Sequence, residues 1–232
     1  MGEKIYYFLF IACLALFLTG CGGERVQVEV PPEVPTEGIE KIAIIEFNNE
    51  SEDPGLAREM ENMLIDHFRR NGRYIIIERY RAQNFGSRNL SPQRARQLGA
   101  QTGADALIVA SATYYSEDVY MEPPRRDDYS EHPSWSSRQI TTVHAKMVGQ
   151  VIDAKTGMII YSKGTQGEGR QVRYITLPGW PGAETAPPPI WMIPWTNRHD
   201  IPKARQEAIR NAVLPFARAF YPTYKYVRVD KE

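Results

Sequence analysis

The chain has 232 residues, with 28 Lys+Arg against 28 Asp+Glu and a formal net charge of zero. That balance excludes the basic footprint of a nucleic-acid binder and gives no pull toward an acidic substrate. With Cys13 and Cys21 as its only cysteines, of which the processing described next keeps one, no disulfide is available and the fold must rest on its apolar core.

Met1 and Lys4 open a weakly basic start, and Ile5 to Leu18 form an apolar run of signal-peptide length, too short for a comfortable transmembrane helix. The run ends in Leu18, Thr19, Gly20 and Cys21, which looks like a bacterial lipobox, so Cys21 is the expected lipidation site and first mature residue. An ordinary secretory signal that happens to end near a cysteine is the alternative. Gly22 stands where an inner-membrane retention signal would place Asp, so the expected location is the outer membrane, periplasmic face, with the lipid on Cys21 as anchor. Residues 22–38, GGERVQVEVPPEVPTEG, are polar and proline-rich and read as a flexible tether. Residues 39–232 then form a single periplasmic domain.

The stretch IEKIAIIEFNN has the β-branched density of a buried strand, with Ile42, Ile44 and Ile45 preceding Asn48 and Asn49. A helix follows, with Asp53 as its cap and Pro54 at its first position. Its Leu56, Met60, Met63, Leu64 and Phe68 make one apolar face, and Gly72 stops it. RYIIIERY is the next strand, and strand, helix, strand with short links predicts parallel pairing through a right-handed crossover. Ser91 and Pro92 open a second helix with Ala95, Leu98 and Thr102 on one side and Gly103 at its end, before the strand ADALIVASATYYSE.

Residues 118–139, DVYMEPPRRDDYSEHPSWSSRQ, read as a long charged surface loop. A β-hairpin comes next, in which Val143, Ala145, Met147, Gly149 and Val151 alternate with polar residues, DAKTG turns the chain and MIIYSKGTQ returns it. A second insertion, 176–200, contains PGWPGAETAPPPIWMIPW, with three of the four tryptophans and six of the 17 prolines. Asp200 and Pro202 open a last helix with the stripe Ala204, Ala208, Ala212, Val213 and Phe216, and Pro215 should kink or break it. TYKYVRVDKE closes the chain as a short strand or an extended tail. The element order gives an α/β or α+β domain with a mixed central sheet and two or three packed helices.

These segments resemble a known group. KIAIIEFNNES with its helix, NGRYIIIERYR, RQLGAQTGADALIVASATYYSE and VIDAKTGMIIYSKGTQGEG look like the periplasmic domain shared by CsgG-like curli-secretion lipoproteins, LpoB-type activators of penicillin-binding proteins and the amino-terminal domain of TolB. FNNESEDPGLAREMENML is also comparable to the opening of LptE-like lipoproteins. The resemblance implies a non-catalytic scaffold that binds envelope proteins during secretion, surface assembly or cell-wall synthesis. It also admits a subunit of a CsgG-like oligomeric export channel, or an LptE-like part in lipopolysaccharide transport. Channel hairpins need strands of about 9 to 11 alternating residues. The charge of 118–139 and the prolines of 176–200 argue against them.

Chemistry is sparse in the sequence. No Gly-rich phosphate loop, HExxH, CxxC or nucleophile-elbow serine occurs, so no catalytic residue, metal ligand or cofactor is expected. His67 and His144 read as packed or edge histidines. Glu122, Asp127, Asp128, Glu131 and His132 read as a solvated acidic loop answered by Arg125 and Arg126, ahead of a cation site. HDIPKAR reads as helix capping. The residues left with a physical argument for binding are Trp180, Trp191, Met192 and Trp195: tryptophans anchor interfaces, and prolines limit the ordering cost of docking. Either they dock a partner, or Trp180, Ile190, Trp191, Met192 and Trp195 fold back as a lid on the sheet; insertion into the membrane interface is a third reading. The envelope partner and the oligomeric state stay open, and no nucleic-acid partner is expected.

Overall fold

The computed structural model describes residues 24–77, 90–127, 134–177, 187–189, 193 and 200–229. They fall into two compact units, one formed by the two ends of the chain (1–32 and 221–232) and the other by Glu33–Phe220.

The larger unit is α+β, with three helices and a mixed six-stranded sheet. Strand β2 (Lys41–Asn49) leads through α1 (Leu56–Asn71) to β3 (Ile75–Ile77), and α2 (Pro92–Thr102) leads to β4 (Ala106–Met121). β2 pairs in parallel with β3 and with β4, as the strand, helix, strand spacing requires. β4 then runs antiparallel to β6 (Ser134–Asp153), which pairs antiparallel with β7 (Ile159–Leu177), while the short β5 (Arg125–Asp127) pairs the start of β6. Helix α3 (Ile201–Arg218) follows β7.

Alternation along the strands divides the core between two faces. Ala43, Ile45, Leu107, Val109 and Ile152 pack against Ala95 and Leu98 of α2. The other face meets α1 and α3, whose Phe68 and Phe216 are fully buried, as is Phe220 just beyond the end of α3. Phe68 and Phe220 stack edge to face at 5.0 Å, and Phe216 and Phe220 at 6.0 Å. The alanine stripe of α3 lets this helix approach β7 closely. A Cβ on Gly167 would strike the Ala208 carbonyl, and one on Gly169 the Ala204 carbonyl.

Two motifs of the family resemblance find local reasons. In GAD, Asp105 Oδ2 accepts from the backbone N–H groups of Glu40 and Lys41 at 3.1 and 3.0 Å, tying the start of β2 to that of β4. In DAKTG, Asp153 Oδ1 accepts from the N–H groups of Lys155 and Thr156 at 2.9 and 2.6 Å, and Gly157 takes φ 73° to complete the turn.

Several sequence expectations need correction. Helix α1 starts at Leu56 with Gly55 as its N-cap and no side-chain cap, because the Asp53 carboxylate is turned to Gly55 N–H and to Arg205. Asp200 does hold the N-cap position of α3, yet its carboxylate pairs with Arg173 at 3.1 Å and caps nothing. α3 continues through Pro215 to Arg218, since the proline removes a single helix bond, the one its own nitrogen would give to the carbonyl of Asn211, and the bonds of the following turn are unaffected. The expected loop 118–139 is largely strand: β4 runs on to Met121 and β6 begins at Ser134, because the ladder Asp118↔Thr142 to Met121↔Gln139 pairs backbone groups whatever the side-chain charge. Likewise β7 runs to Leu177, well past the expected return strand.

In the smaller unit, the expected tether instead contains β1 (Glu24–Val30), antiparallel to β8 (Thr223–Val229). Polar composition suggested a tether, but the alternation of Val26, Val28 and Val30 with polar residues is a strand pattern.

Candidate protein-docking surface

Strands β4, β6 and β7 extend beyond the part of the sheet that carries the main core, and this distal part is the candidate site. On its inner face Met121, Ile175 and Ile193 form a separate small cluster, with Trp135 packed beside it. Ile193 belongs to the tryptophan- and proline-rich insertion and is only 1% exposed. The insertion leaves β7 after Leu177, and its far end, Asp200, is held to β7 by Arg173.

Among the described residues, the opposite face of the distal strands is the more open one. Register aligns Tyr120 with Ile140 and Ile140 with Val172, a cross-strand row of aromatic and β-branched groups. Tyr120 is 53% exposed, and Tyr174, one step further along the same face of β7, is 70% exposed. Arg138 lies between them and is clamped by Glu122, whose oxygens accept from Nε at 2.7 Å and from Nη2 at 2.8 Å. Ser137 Oγ donates to the Glu122 carbonyl at 2.6 Å, so the end of β4 is fixed to β6. These restraints make the distal face a preformed surface, which lowers the ordering cost of binding.

β7 is an edge strand: among the described residues no strand pairs its outer side. Near its middle, α3 covers that edge. Asn211 Nδ2 donates to the Glu168 carbonyl at 2.8 Å, and Glu207 Oε2 accepts from Arg170 N–H at 3.3 Å. Such blunting is the usual guard against uncontrolled strand addition. The described contacts of α3 with edge backbone groups stop at Arg170.

A second polar centre joins helices to sheet. Arg205 bonds Asp53 in bidentate fashion at 2.6 and 2.9 Å and Glu59 at 2.9 and 3.0 Å, with its guanidinium 4.7 Å from the ring centroid of Tyr115. The Arg205 hydrogen bonds hold the Asp53 carboxyl below its ordinary range, although its partial burial works the other way. Burial raises the Tyr115 hydroxyl, and its bond to Glu117 adds to that. These partners make it a tie between α1, α3 and β4.

The residues predicted for binding and anchoring, Trp180, Trp191, Met192, Trp195 and Cys21, lie outside the described residues, as does Ile190. Of the acidic group, Glu122 is committed to Arg138, while Asp128, Glu131 and His132 lie outside the described residues. Among the described residues no three His, Cys, Asp or Glu side chains come together as metal ligands. His67 is half-buried on α1 beside Asn71, whose Nδ2 is 3.1 Å from Nε2. Burial lowers its pKa below the usual histidine value, and Arg218 and Arg70 add to that. His144 is on the open face of β6, with Nδ1 4.0 Å from Glu168. Sequence reasoning missed Tyr120, Ile140, Val172, Tyr174 and Ile193. The signal was present in QVRYITL, whose β-branched and aromatic density marks a continuing strand.

No protein-family model and no curated protein matches the sequence. Among solved structures, lipoprotein GNA1162 from Neisseria meningitidis is similar, with 16% identity, TM-score 0.36, and 57% of this chain and 83% of that one covered. PelC from Paraburkholderia phytofirmans, described as a dodecamer, has 12% identity and TM-score 0.37, covering 84% of this chain and 99% of that one. The LpoB C-terminal domain from Salmonella enterica has 13% identity and TM-score 0.35, covering 66% and 90%. The chain is thus similar in fold to bacterial lipoproteins.

Proposed function

We propose that the chain is a lipoprotein anchored in the outer membrane through Cys21, facing the periplasm, that binds envelope proteins during secretion, surface assembly or cell-wall synthesis and catalyses no reaction itself. The observation that carries this reading is the exposed Tyr120, Val172 and Tyr174, with the partly buried Ile140 between them, held on strands that outrun the main core. Exposed aromatic and β-branched groups on a rigid face are what a protein partner can bury at low entropic cost. Trp180, Trp191, Met192 and Trp195 lie in the segment that follows β7 in sequence and are the further residues we propose for docking.

The test is site-specific photocrosslinking in intact envelopes, with the crosslinker at 172 or 174, and at Ser162 of the proximal strand as control. Crosslinks to one defined envelope protein from 172 and 174, and none from 162, support the reading. Equal labelling from all three positions, or labelling of lipid alone, sinks it.

A second reading is a homo-oligomer joined along β7, favoured by the uncovered end of that edge. Crosslinks from 174 to another copy, with a larger mass by light scattering, would select it. A membrane-spanning wall fits the distal strands less well, because Asp118, Arg138 and Arg170 alternate onto one face and Glu117 and Arg173 onto the other.

A further inference from the structure

The β1/β8 ribbon is a two-stranded sheet with an uneven pair of faces. Register places Val26 opposite Val227, Val28 opposite Lys225 and Val30 opposite Thr223 on one face, while Arg25 opposes Arg228, Gln27 opposes Tyr226 and Glu29 opposes Tyr224 on the other, where both tyrosines are exposed beside charged and polar groups. The valine face is uncovered: Val26 is 42% exposed, Val28 43% and Val227 47%. A two-stranded sheet on its own is marginal in water, and an apolar face improves it only when something covers that face.

The position of the ribbon in the chain says what does. Only Gly22 and Gly23 separate Cys21 from Glu24. Three extended peptide units reach about 10 to 11 Å, so a lipid on Cys21 keeps the first rung of the ribbon within that distance of its own attachment point. The headgroup layer on each side of a bilayer is about 5 to 8 Å deep. The ribbon therefore starts at the membrane surface and, at about 3.4 Å per residue, continues for roughly 20 Å in whatever direction it takes. We infer that the β1/β8 ribbon lies on the leaflet that holds the Cys21 lipid, with Val26, Val28 and Val227 against the lipid interface and Arg25, Gln27 and Tyr226 turned outward.

The side chains suit that placement. Lys225 shares the valine face but has a stem long enough to bring its ammonium up to lipid phosphates. The membrane supplies the missing cover, and the ribbon adds to the lipid a contact that fixes how the chain leaves the surface. A lipid surface is favoured over a protein partner because it is the one apolar surface that the anchor brings to the valines at every moment. This inference rests on the lipidation of Cys21 proposed above and is separate from the distal docking face.

The period of the strand makes the test sharp. The full chain, lipidated and reconstituted in vesicles of phosphatidylethanolamine and phosphatidylglycerol, carries an environment-sensitive fluorophore at Val26→Cys, Gln27→Cys or Val28→Cys, with acylation of Cys21 checked by mass spectrometry. At 26 and 28, a blue-shifted emission and at least a threefold stronger quenching by shallow spin-labelled lipid than at 27 are expected. Replacing Val26 and Val28 by Ser should abolish the protection of β8 amides from hydrogen exchange in vesicles. If the chain is acylated but 26, 27 and 28 are equally water-exposed, the inference is overturned while the anchor stands. Protection that depends on protein concentration at fixed lipid would overturn it in favour of a second copy. An unacylated chain overturns anchor and inference together.

Discussion

The proximal and distal parts of β4, β6 and β7 are one set of strands in two environments. Proximally, Leu107 and Val109 face α2 while Val143, Met147 and Val151 are buried on the opposite side, so core residues lie on both faces. Distally, among the described residues, one face has the small cluster of Met121, Ile175 and Ile193 and the other has no such cluster. Burial drives folding in proportion to the apolar area removed from water. The proximal half therefore holds the fold together, and the distal half is free to present side chains.

This division orders the effects of mutation. Phe220→Ala should be the most damaging, removing the ring that meets Phe68, Tyr74 and Phe216, at a cost of about 3 to 5 kcal/mol. Urea denaturation measures it. Gly169→Ala belongs with it, because α3 must move away from β7 to admit the methyl group. Arg205→Ala comes next, since it strands the mostly buried Asp53 carboxylate, whose side chain is 22% exposed. A loss of about 2 to 4 kcal/mol is expected, as when one partner of a buried pair is removed, and Asp53→Asn in the same background should recover part of it.

In the distal half, Ile193→Ala should cost less, about 1 to 2 kcal/mol, because a cluster of three buried residues can close over the gap more easily than a core. A loss as large as that of Phe220→Ala would mean that the distal part belongs to the core. Tyr120→Ser with Tyr174→Ser should change stability by no more than about 0.5 kcal/mol and remove the crosslinked partner. A fall in melting temperature comparable to that of Arg205→Ala would show the two tyrosines to be structural and would erase the contrast.

The same contrast explains what could be read from sequence. The proximal elements were legible because burial imposes period: Leu56, Met60, Leu64 and Phe68 repeat as a helix face, and Val143 to Val151 alternate as a strand. Distal strand ends carry no such constraint. Asp118, Tyr120, Arg138 and Arg170 face solvent there, so the segment has the composition of a loop while its backbone is paired. β1 was missed for a related reason, as its proline neighbours masked the alternation of its valines. The cap assignments of Asp53 and Asp200 failed because arginines distant in sequence, Arg205 and Arg173, compete for those carboxylates. Ile193 was passed over for the larger rings around it.

The smallest effect expected is a pH dependence from the proximal half. His67 titrates below the ordinary histidine value because it is partly buried, with Arg218 and Arg70 nearby. The unfolded chain, with a value near 6.5, therefore binds a proton that the folded chain resists. Stability from this residue is complete above about pH 6.5 and is lost as pH falls through the folded value. Asn71 reinforces the neutral form by donating to Nε2, a bond that a protonated ring cannot accept. Asp53 and Asp105, both held low, lose their contributions only below about pH 4, clear of this window. Urea midpoints should thus drop slightly from pH 7.5 to 5.5 in the wild-type chain and less in His67→Gln. An equal drop in both would place the sensitivity elsewhere and leave the proximal core without a titrating histidine.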